Sequence, residues 1–110
     1  MEHLDRAGEY TEPTGERPNH WVEHLRVEAL SVGTYSIPAG APDTQRPHTE
    51  DEVYVVTSGR GIFEAAGQRV DARAGTVLYV PANEEHRFVE VTEDLAVLVV
   101  FAPPEYSASQ

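Results

Sequence analysis

The alternation of apolar and polar residues from position 27 onward predicts a chain built almost entirely of short β-strands. Successive side chains of a strand point to opposite faces, so a half-buried strand carries an apolar residue at every second position. Glycine, proline and asparagine, which favour turns, separate these runs. The predicted strands span residues 27–30, 32–37, 53–57, 62–65, 68–72, 76–80, 86–91 and 95–101.

Two connections and one strand add detail to this pattern. Residues 58–61, with the sequence Ser-Gly-Arg-Gly, predict a hairpin turn, and residues 92–94 predict another break between strands. Strand 95–101 is apolar on both faces, which predicts burial by the core on one side and by a second sheet on the other. A homodimer would supply that second sheet.

The part of the chain before the strands has a different character. Residues 1–19 show no apolar periodicity, and we expect an irregular arm that is either mobile or laid across a partner subunit. Residues 20–25 predict one short helical turn capped by Asn19. A chain of 110 residues is long enough for one core and too short for two. We therefore expect the arm 1–19, a single β-barrel domain 20–104 and a C-terminal tail 105–110.

Composition narrows the range of partners. The formal net charge of −11 makes this an acidic protein and argues against nucleic acid and anionic membrane surfaces, which would repel it. No apolar run approaches the roughly 20 residues of a membrane span, and the charged N-terminus is unlike a signal peptide, so we expect a cytoplasmic protein. The absence of cysteine excludes disulfides, thiolate metal sites and a thiol nucleophile.

Three side chains beside predicted strands suggest a metal site. His48, Glu52 and His86 can converge on one divalent metal ion if their strands pack as neighbours, since imidazole and carboxylate are its usual ligands. Alternation places Tyr54 on the inward face with Glu52, and Glu90 on the inward face with His86. Tyr54 and Glu90 are therefore the predicted proton carriers. The neighbouring carboxylates at positions 50 and 51 are expected to be solvated, but alternation also places Glu50 on the face of Glu52, where it would instead support a metal ligand.

The first part of this pattern resembles the first motif of the cupin family. That motif is a glycine, a His-x-His pair, three or four residues, a glutamate, six residues and a second glycine. Here Gly40 precedes Arg46-Pro-His48, and Glu52 and Gly59 follow at the spacing of the motif.

The second cupin motif is a glycine, five residues, Pro-x-Gly, two residues and a histidine. Gly75, Pro81 and His86 match it in register, and Asn83 replaces its second glycine. Asparagine tolerates the left-handed backbone conformation of such a turn. The resemblance implies an all-β fold, the antiparallel double-stranded β-helix or jelly roll of a small single-domain bacterial cupin.

The resemblance also implies a cofactor and a departure from the usual ligand set. Cupins bind a metal through two first-motif histidines, the glutamate and the second-motif histidine, often as manganese, iron, nickel or zinc. Arg46 stands at the first histidine's position, and a guanidinium cation does not ligate a metal. If Pro47 displaces the loop, the carbonyl of Gln45 is a substitute ligand that favours Mn or Fe. Without it, the other three residues form a two-histidine, one-carboxylate facial triad.

Three functions are compatible with this sequence. The first is a metal-dependent enzyme acting on a small chelating organic molecule as a dioxygenase, isomerase, decarboxylase or lyase. The second is a non-enzymatic cupin that binds or senses a small molecule, with or without metal. The third is a degenerate cupin that assembles with a partner. One fold hosts many reactions, so the sequence does not select among them.

Overall fold

The computed structural model describes residues 1–107, and its regular elements are six antiparallel β-strands. The strands are β1 (His20–Arg26), β2 (Ser31–Ile37), β3 (Asp51–Ala65), β4 (Gln68–Arg73), β5 (Val77–Val80) and β6 (His86–Ala102). They form one sheet in the order β1-β2-β6-β3-β4, and β5 pairs with β3. The predicted all-β antiparallel fold is confirmed. Residues 108–110 of the predicted tail lie outside the described residues.

Two long strands give the sheet its closed shape. The first part of β3 pairs with β5 and its last part with β4, while β6 runs beside β3 along both parts. Glu52 lies near the start of β3, whereas His86 pairs with Ala65 at its end. Their side chains nevertheless lie within 2.7 Å of each other. The sheet therefore curls back on itself, as in a jelly roll.

The curl is concentrated at Gly59. Its φ is +85°, and a Cβ at this position would lie 2.0 Å from the backbone oxygen of Asp94. Register shifts between Val56 and Ile62 mark the same region as bulged. The predicted hairpin at 58–61 is therefore wrong, because this glycine bends one continuous strand instead of ending it. The predicted break at 92–94 is wrong as well, since β6 continues through it.

The segment 20–25 also differs from its prediction, because it is part of β1 and contains no helical turn. Trp21 pairs with Tyr35 across to β2, and its indole ring meets the rings of Tyr35 and Phe101 edge-on. These long-range contacts override a weak local helical signal. Residues 27–30, predicted as a strand, form the connecting turn, closed by the hydrogen bond from Val27 N–H to the Leu30 carbonyl.

The N-terminal arm is hydrogen-bonded to β2 of the same chain. Residues 1–19 contain no strand or helix. The N–H of Gly8 donates to the Thr34 hydroxyl and that of Thr11 to the Ser36 hydroxyl. These bonds give partners to two buried hydroxyls of β2. Within residues 1–107, no helix has the length and apolarity needed to cross a bilayer.

The predicted alternation of inward and outward side chains holds along β3 and fails at one point of β6. Glu52, Tyr54 and Val56 are all buried on the inward face, as predicted. On β6 the inward alternation that starts at His86 stops at Glu90, which has a φ of +52° and an exposed side chain. The main core side chains are Ile37, Tyr54, Val56, Phe63, Phe88, Leu95, Val97, Val99 and Phe101.

Candidate metal centre

Three side chains from three segments meet inside the barrel. His48 comes from the loop before β3, Glu52 from the start of β3 and His86 from the start of β6. Their exposed fractions are 7%, 2% and 5%, and each offers a ligand atom within 4.8 Å of the others. The structure thus brings together the three residues that the sequence predicts as metal ligands.

His86 is held in an orientation that leaves one nitrogen facing the cluster. Its Nδ1 lies 2.7 Å from the Glu84 carbonyl oxygen, which accepts a hydrogen bond from it. Its Nε2 lies 2.7 Å from Oε1 of Glu52. A histidine whose outer nitrogen bonds a backbone carbonyl presents the other nitrogen as a metal ligand, an arrangement typical of metalloproteins.

His48 is oriented in a similar way by a different partner. Its Nε2 lies 2.9 Å from Oε2 of Glu105, in the segment after β6. Its Nδ1 faces Oε2 of Glu52 at 3.7 Å, which is too long for a hydrogen bond. Both of these facing atoms are buried without a hydrogen-bond partner among the described residues. Since an unpartnered buried polar atom is unfavourable, the donor set fits a cation seated between them.

The charges of the cluster are strongly coupled. Burial alone would lower the pKa of His48, but the carboxylates of Glu105 and Glu52 outweigh it and raise this pKa to about 9. Burial opposes ionisation of Glu52 as well, yet its two histidine neighbours lower its pKa. Glu52 raises the pKa of His86 against the effect of burial. His48 therefore carries a second proton at neutral pH, and a metal ion that binds its inner nitrogen must displace that proton.

Tyr54 links the cluster to the predicted fourth ligand. Its hydroxyl donates to Oε1 of Gln45 at 2.7 Å and lies 2.9 Å from Nε2 of His86. Gln45 is in turn held by Asp43, which accepts a hydrogen bond from its Nε2 at 2.6 Å. Burial and the charge of Glu52 raise the pKa of Tyr54 well above its ordinary value, so the phenol stays neutral.

Glu90 does not reach the cluster. Its side chain is 66% exposed, and its carboxylate lies 4.0 Å from the guanidinium of Arg69. The bulge at this residue turns the side chain outward, which a strict alternation of faces does not foresee.

Two acidic residues near the cluster were missed or misjudged from the sequence. Glu105 belongs to a tail with no motif, and no sequence signal points to it. Glu50, expected to be solvated unless it supports a ligand from the face of Glu52, is 1% exposed and accepts a hydrogen bond from the Tyr106 N–H at 2.6 Å. The Thr49 hydroxyl also donates to Glu50. Both carboxylates therefore connect the tail to the loop that carries His48.

A cavity of about 380 Å³ opens beside the cluster. His48 and Tyr54 form part of its lining, whereas the buried Glu52 does not. Aromatic rings make up much of the remaining wall. A largely apolar cavity with a few converging polar groups is the usual form of a small-molecule site.

The geometry agrees with the comparison to known families. The family model for the cupin domain matches residues 33–101. The chain is a cupin. This match begins in β2 and ends in β6, so it includes all three residues of the cluster.

Two curated proteins resemble this cupin in sequence. An uncharacterised protein of Streptomyces coelicolor is 46% identical over 85 residues, which cover 77% of this chain and 81% of that protein. The dimethylsulfoniopropionate lyase DddW of Ruegeria pomeroyi is 36% identical over 61 residues, which cover 56% of this chain and 40% of the lyase. This cupin therefore matches less than half of the lyase's length.

Solved structures confirm the fold. An RmlC-like cupin of Desulfovibrio desulfuricans superimposes with a TM-score of 0.74 at 23% identity, covering 94% of this chain and 98% of that one. KdgF from Halomonas superimposes with a TM-score of 0.76 at 19% identity, with 94% of both chains covered. Salicylate 1,2-dioxygenase from Pseudoaminobacter salicylatoxidans gives 0.72 at 15% identity, covering 82% of this chain and 26% of the enzyme. At these identities the likeness concerns the fold alone.

Proposed function

We propose that this cupin is a metal-dependent enzyme whose substrate is a small chelating organic molecule. His48, Glu52 and His86 would hold one divalent ion of manganese, iron, nickel or zinc. The observation that carries the proposal is the pair of unpartnered buried atoms, His48 Nδ1 and Glu52 Oε2, facing each other at 3.7 Å. Two imidazoles and one carboxylate are a ligand set common to these four metals.

A bound divalent ion would supply Lewis acidity, or redox chemistry if it is iron. The protein's own groups would orient and protonate the substrate. Tyr54 holds a proton on a hydroxyl that lies between the cluster and the cavity, so it is placed to donate to a substrate oxygen. Gln45 holds Tyr54 in this orientation. Gln45 Oε1 has a second lone pair, which would be available for the further metal ligand predicted from the sequence.

The reaction is one of the four types expected from the sequence, and the lyase type has the strongest support. DddW is named as a lyase, and its likeness to this chain is a likeness of sequence. The likeness to the salicylate dioxygenase is one of fold, at 15% identity. In an elimination a base removes a substrate proton as the leaving group departs, and the neutral phenol of Tyr54 would protonate that leaving group.

The metal site is tested by its metal content. Plasma mass spectrometry on untagged protein, purified without chelators, should find about one metal ion per chain. The double variant His48→Ala/His86→Ala should contain almost none, whereas His3→Ala/His20→Ala, which changes two histidines outside the cluster, should match the parent. Glu52→Gln, which keeps the shape of the side chain, should also lose the metal. Circular dichroism separates loss of metal from loss of fold.

A metal-free parent that takes up none of the four added ions would exclude the metalloenzyme. This cupin would then be the non-enzymatic binder or sensor, a function favoured by Arg46 at the usual position of the first histidine. If metal is bound, turnover of a panel of hydroxy acids, keto acids and diols decides between enzyme and binder. Binding of a ligand without turnover would support the binder.

We also propose that this cupin forms a homodimer through the outer face of β3, β5 and β6. Val77 and Tyr79 on β5 are each 62% exposed. The register of β3 with β5 and β6 places further apolar residues on the same face, namely Val53, Val55, Leu98 and Val100. Sedimentation velocity should give a dimer for the parent and for the control Val27→Glu, and a monomer for Tyr79→Glu. A monomeric parent would contradict the proposal.

A further inference from the structure

The lining of the cavity carries a local charge opposite to that of the whole protein. The chain has a net charge of −11, and all eight of its basic residues are arginines. Arg17, in the N-terminal arm, and Arg46, in the loop before β3, both line the cavity. The single carboxylate in the described lining is Glu105, which is engaged by His48. An anion approaching this opening therefore meets uncompensated positive charge.

Within the described residues 1–107 these two arginines form no ion pair, unlike most of the other six. Four of the eight form ion pairs on the surface, namely Arg6, Arg26, Arg60 and Arg69. Within residues 1–107 the other four form none, and two of those four are at the cavity. Guanidinium groups that are not already paired remain available for a carboxylate, which they bind through two parallel hydrogen bonds.

The rest of the wall is suited to an apolar body. Trp21, Tyr35 and Phe101 form one side, with the indole ring edge-on to both neighbours. Gly33 makes room for this ring, because a Cβ there would lie 2.2 Å from the Trp21 ring. Tyr106 stacks on His48 with ring centroids 5.1 Å apart. Polar groups are thus at the mouth and at the cluster, with aromatic surface between them.

We infer that this cavity binds a small organic carboxylate, with Arg17 and Arg46 on the carboxylate group and the aromatic wall against the organic body. The inference deepens the proposed function and rests on it for the role of the ligand as a substrate. Recognition of the carboxylate by the two arginines does not itself require the metal. The chemical class is therefore a small organic acid.

The chain provides its own reporter for the test. Trp21 is its single tryptophan and lines the cavity, so intrinsic fluorescence reports occupancy. The titrants are lactate against lactamide and 3-methylbutanoate against 3-methylbutanamide, each pair differing mainly in charge. Protein stripped of metal with a chelator, then dialysed, is compared with protein loaded with Mn²⁺.

We expect each acid to bind at least about tenfold more tightly than its amide, with or without metal, because a charge-assisted bond is lost in the amide. Arg46→Gln and Arg17→Gln should reduce this preference. Arg73→Gln, which removes an exposed arginine that does not line the cavity, should keep this preference. Equal affinities for acid and amide, no response to any acid, or equal effects of the Arg46 and Arg73 substitutions would overturn the inference.

The two proposals fail separately in these experiments. A preference for acids in a protein that takes up no metal would leave the carboxylate site standing and exclude the metalloenzyme. Near-stoichiometric metal in a protein that does not distinguish acid from amide would support the metal site and exclude the carboxylate site.

Discussion

The carboxylate of Glu105 lies 2.9 Å from Nε2 of His48, the imidazole nitrogen that faces away from Glu52. The backbone of Glu105 is fixed on both sides: its N–H donates to the Ser31 hydroxyl at 2.9 Å, and its carbonyl accepts from Arg26 at 2.6 Å. A carboxylate at the outer nitrogen of a histidine retains a proton there and directs the inner nitrogen to a metal. The tail thus helps to shape the cluster.

Substitution of Glu105 should weaken metal binding without removing a ligand. Losing such a carboxylate partner typically lowers metal affinity 10- to 100-fold. We expect the metal affinity to fall roughly tenfold in Glu105→Gln, which keeps a hydrogen-bond acceptor. In Glu105→Ala it should fall by up to roughly 100-fold. Competition with a fluorescent chelator measures the Kd. The control Glu93→Gln changes an exposed carboxylate of β6 and should leave the Kd unchanged. An unchanged Kd in both Glu105 variants would show that Glu105 does not orient His48.

Removal of the Tyr54 hydroxyl should lower the stability of the protein and leave its metal content unchanged. Tyr54→Phe leaves His48, Glu52 and His86 in place, so metal content should stay near that of the parent. The half-buried Oε1 of Gln45 loses its donor, and we expect the free energy of unfolding to fall by about 0.5–1.5 kcal/mol. Urea denaturation and plasma mass spectrometry measure the two effects. Loss of metal in this variant would show that Tyr54 supports the metal ligands, so that its role is not limited to contact with the substrate.

Alanine at position 59 should be much more destabilising than alanine at another glycine of similar backbone conformation. Gly59 and Gly67 have φ values of +85° and +75°, but only at Gly59 would a Cβ meet backbone, at 2.0 Å from Asp94. Gly67→Ala should cost about 1 kcal/mol from φ alone. Gly59→Ala adds a steric clash and should cost about 3 kcal/mol or more. Equal losses in urea denaturation would show that the bend does not need glycine.

The stability of the metal-free protein should fall as the pH rises from 6.5 to 9. The folded pKa of His48, raised to about 9 by Glu105 and Glu52 against the effect of burial, exceeds the ordinary value of 6.5. The folded state therefore binds more protons than the unfolded state within this window. This stabilisation is complete below pH 6.5 and is lost as the pH passes the folded pKa. Urea denaturation in the presence of a chelator measures the trend.

The matched control for this pH dependence is His48→Gln, which cannot titrate. Its free energy of unfolding should change less with pH over the same range, and the difference between the two curves isolates the imidazole from general charge repulsion. Parallel curves for the parent and this variant would mean that His48 has a similar pKa in the folded and unfolded states.

Much of the candidate site was predictable from the sequence because its signals are local. The side-chain alternation of a strand has a period of two, so Glu52, Tyr54 and Val56 are placed on one face by sequence position alone. Two motifs with fixed spacing then put His48 and His86 at the ends of neighbouring strands. Asn83 adopts the left-handed conformation of a turn glycine, with a φ of 67°, as its position in the motif predicts.

The tertiary structure decided what depends on bulges and on distant contacts. Gly59 is a turn signal in the sequence, but the pairing of β3 with β6 on both sides of it converts the turn into a bend. The bulge at Glu90 shifts the alternation and turns a predicted proton carrier outward. Glu105 meets a histidine 57 residues away, and no local period encodes such a contact. The sequence by itself therefore determined the three central residues of the cluster, while folding alone determined which groups orient them.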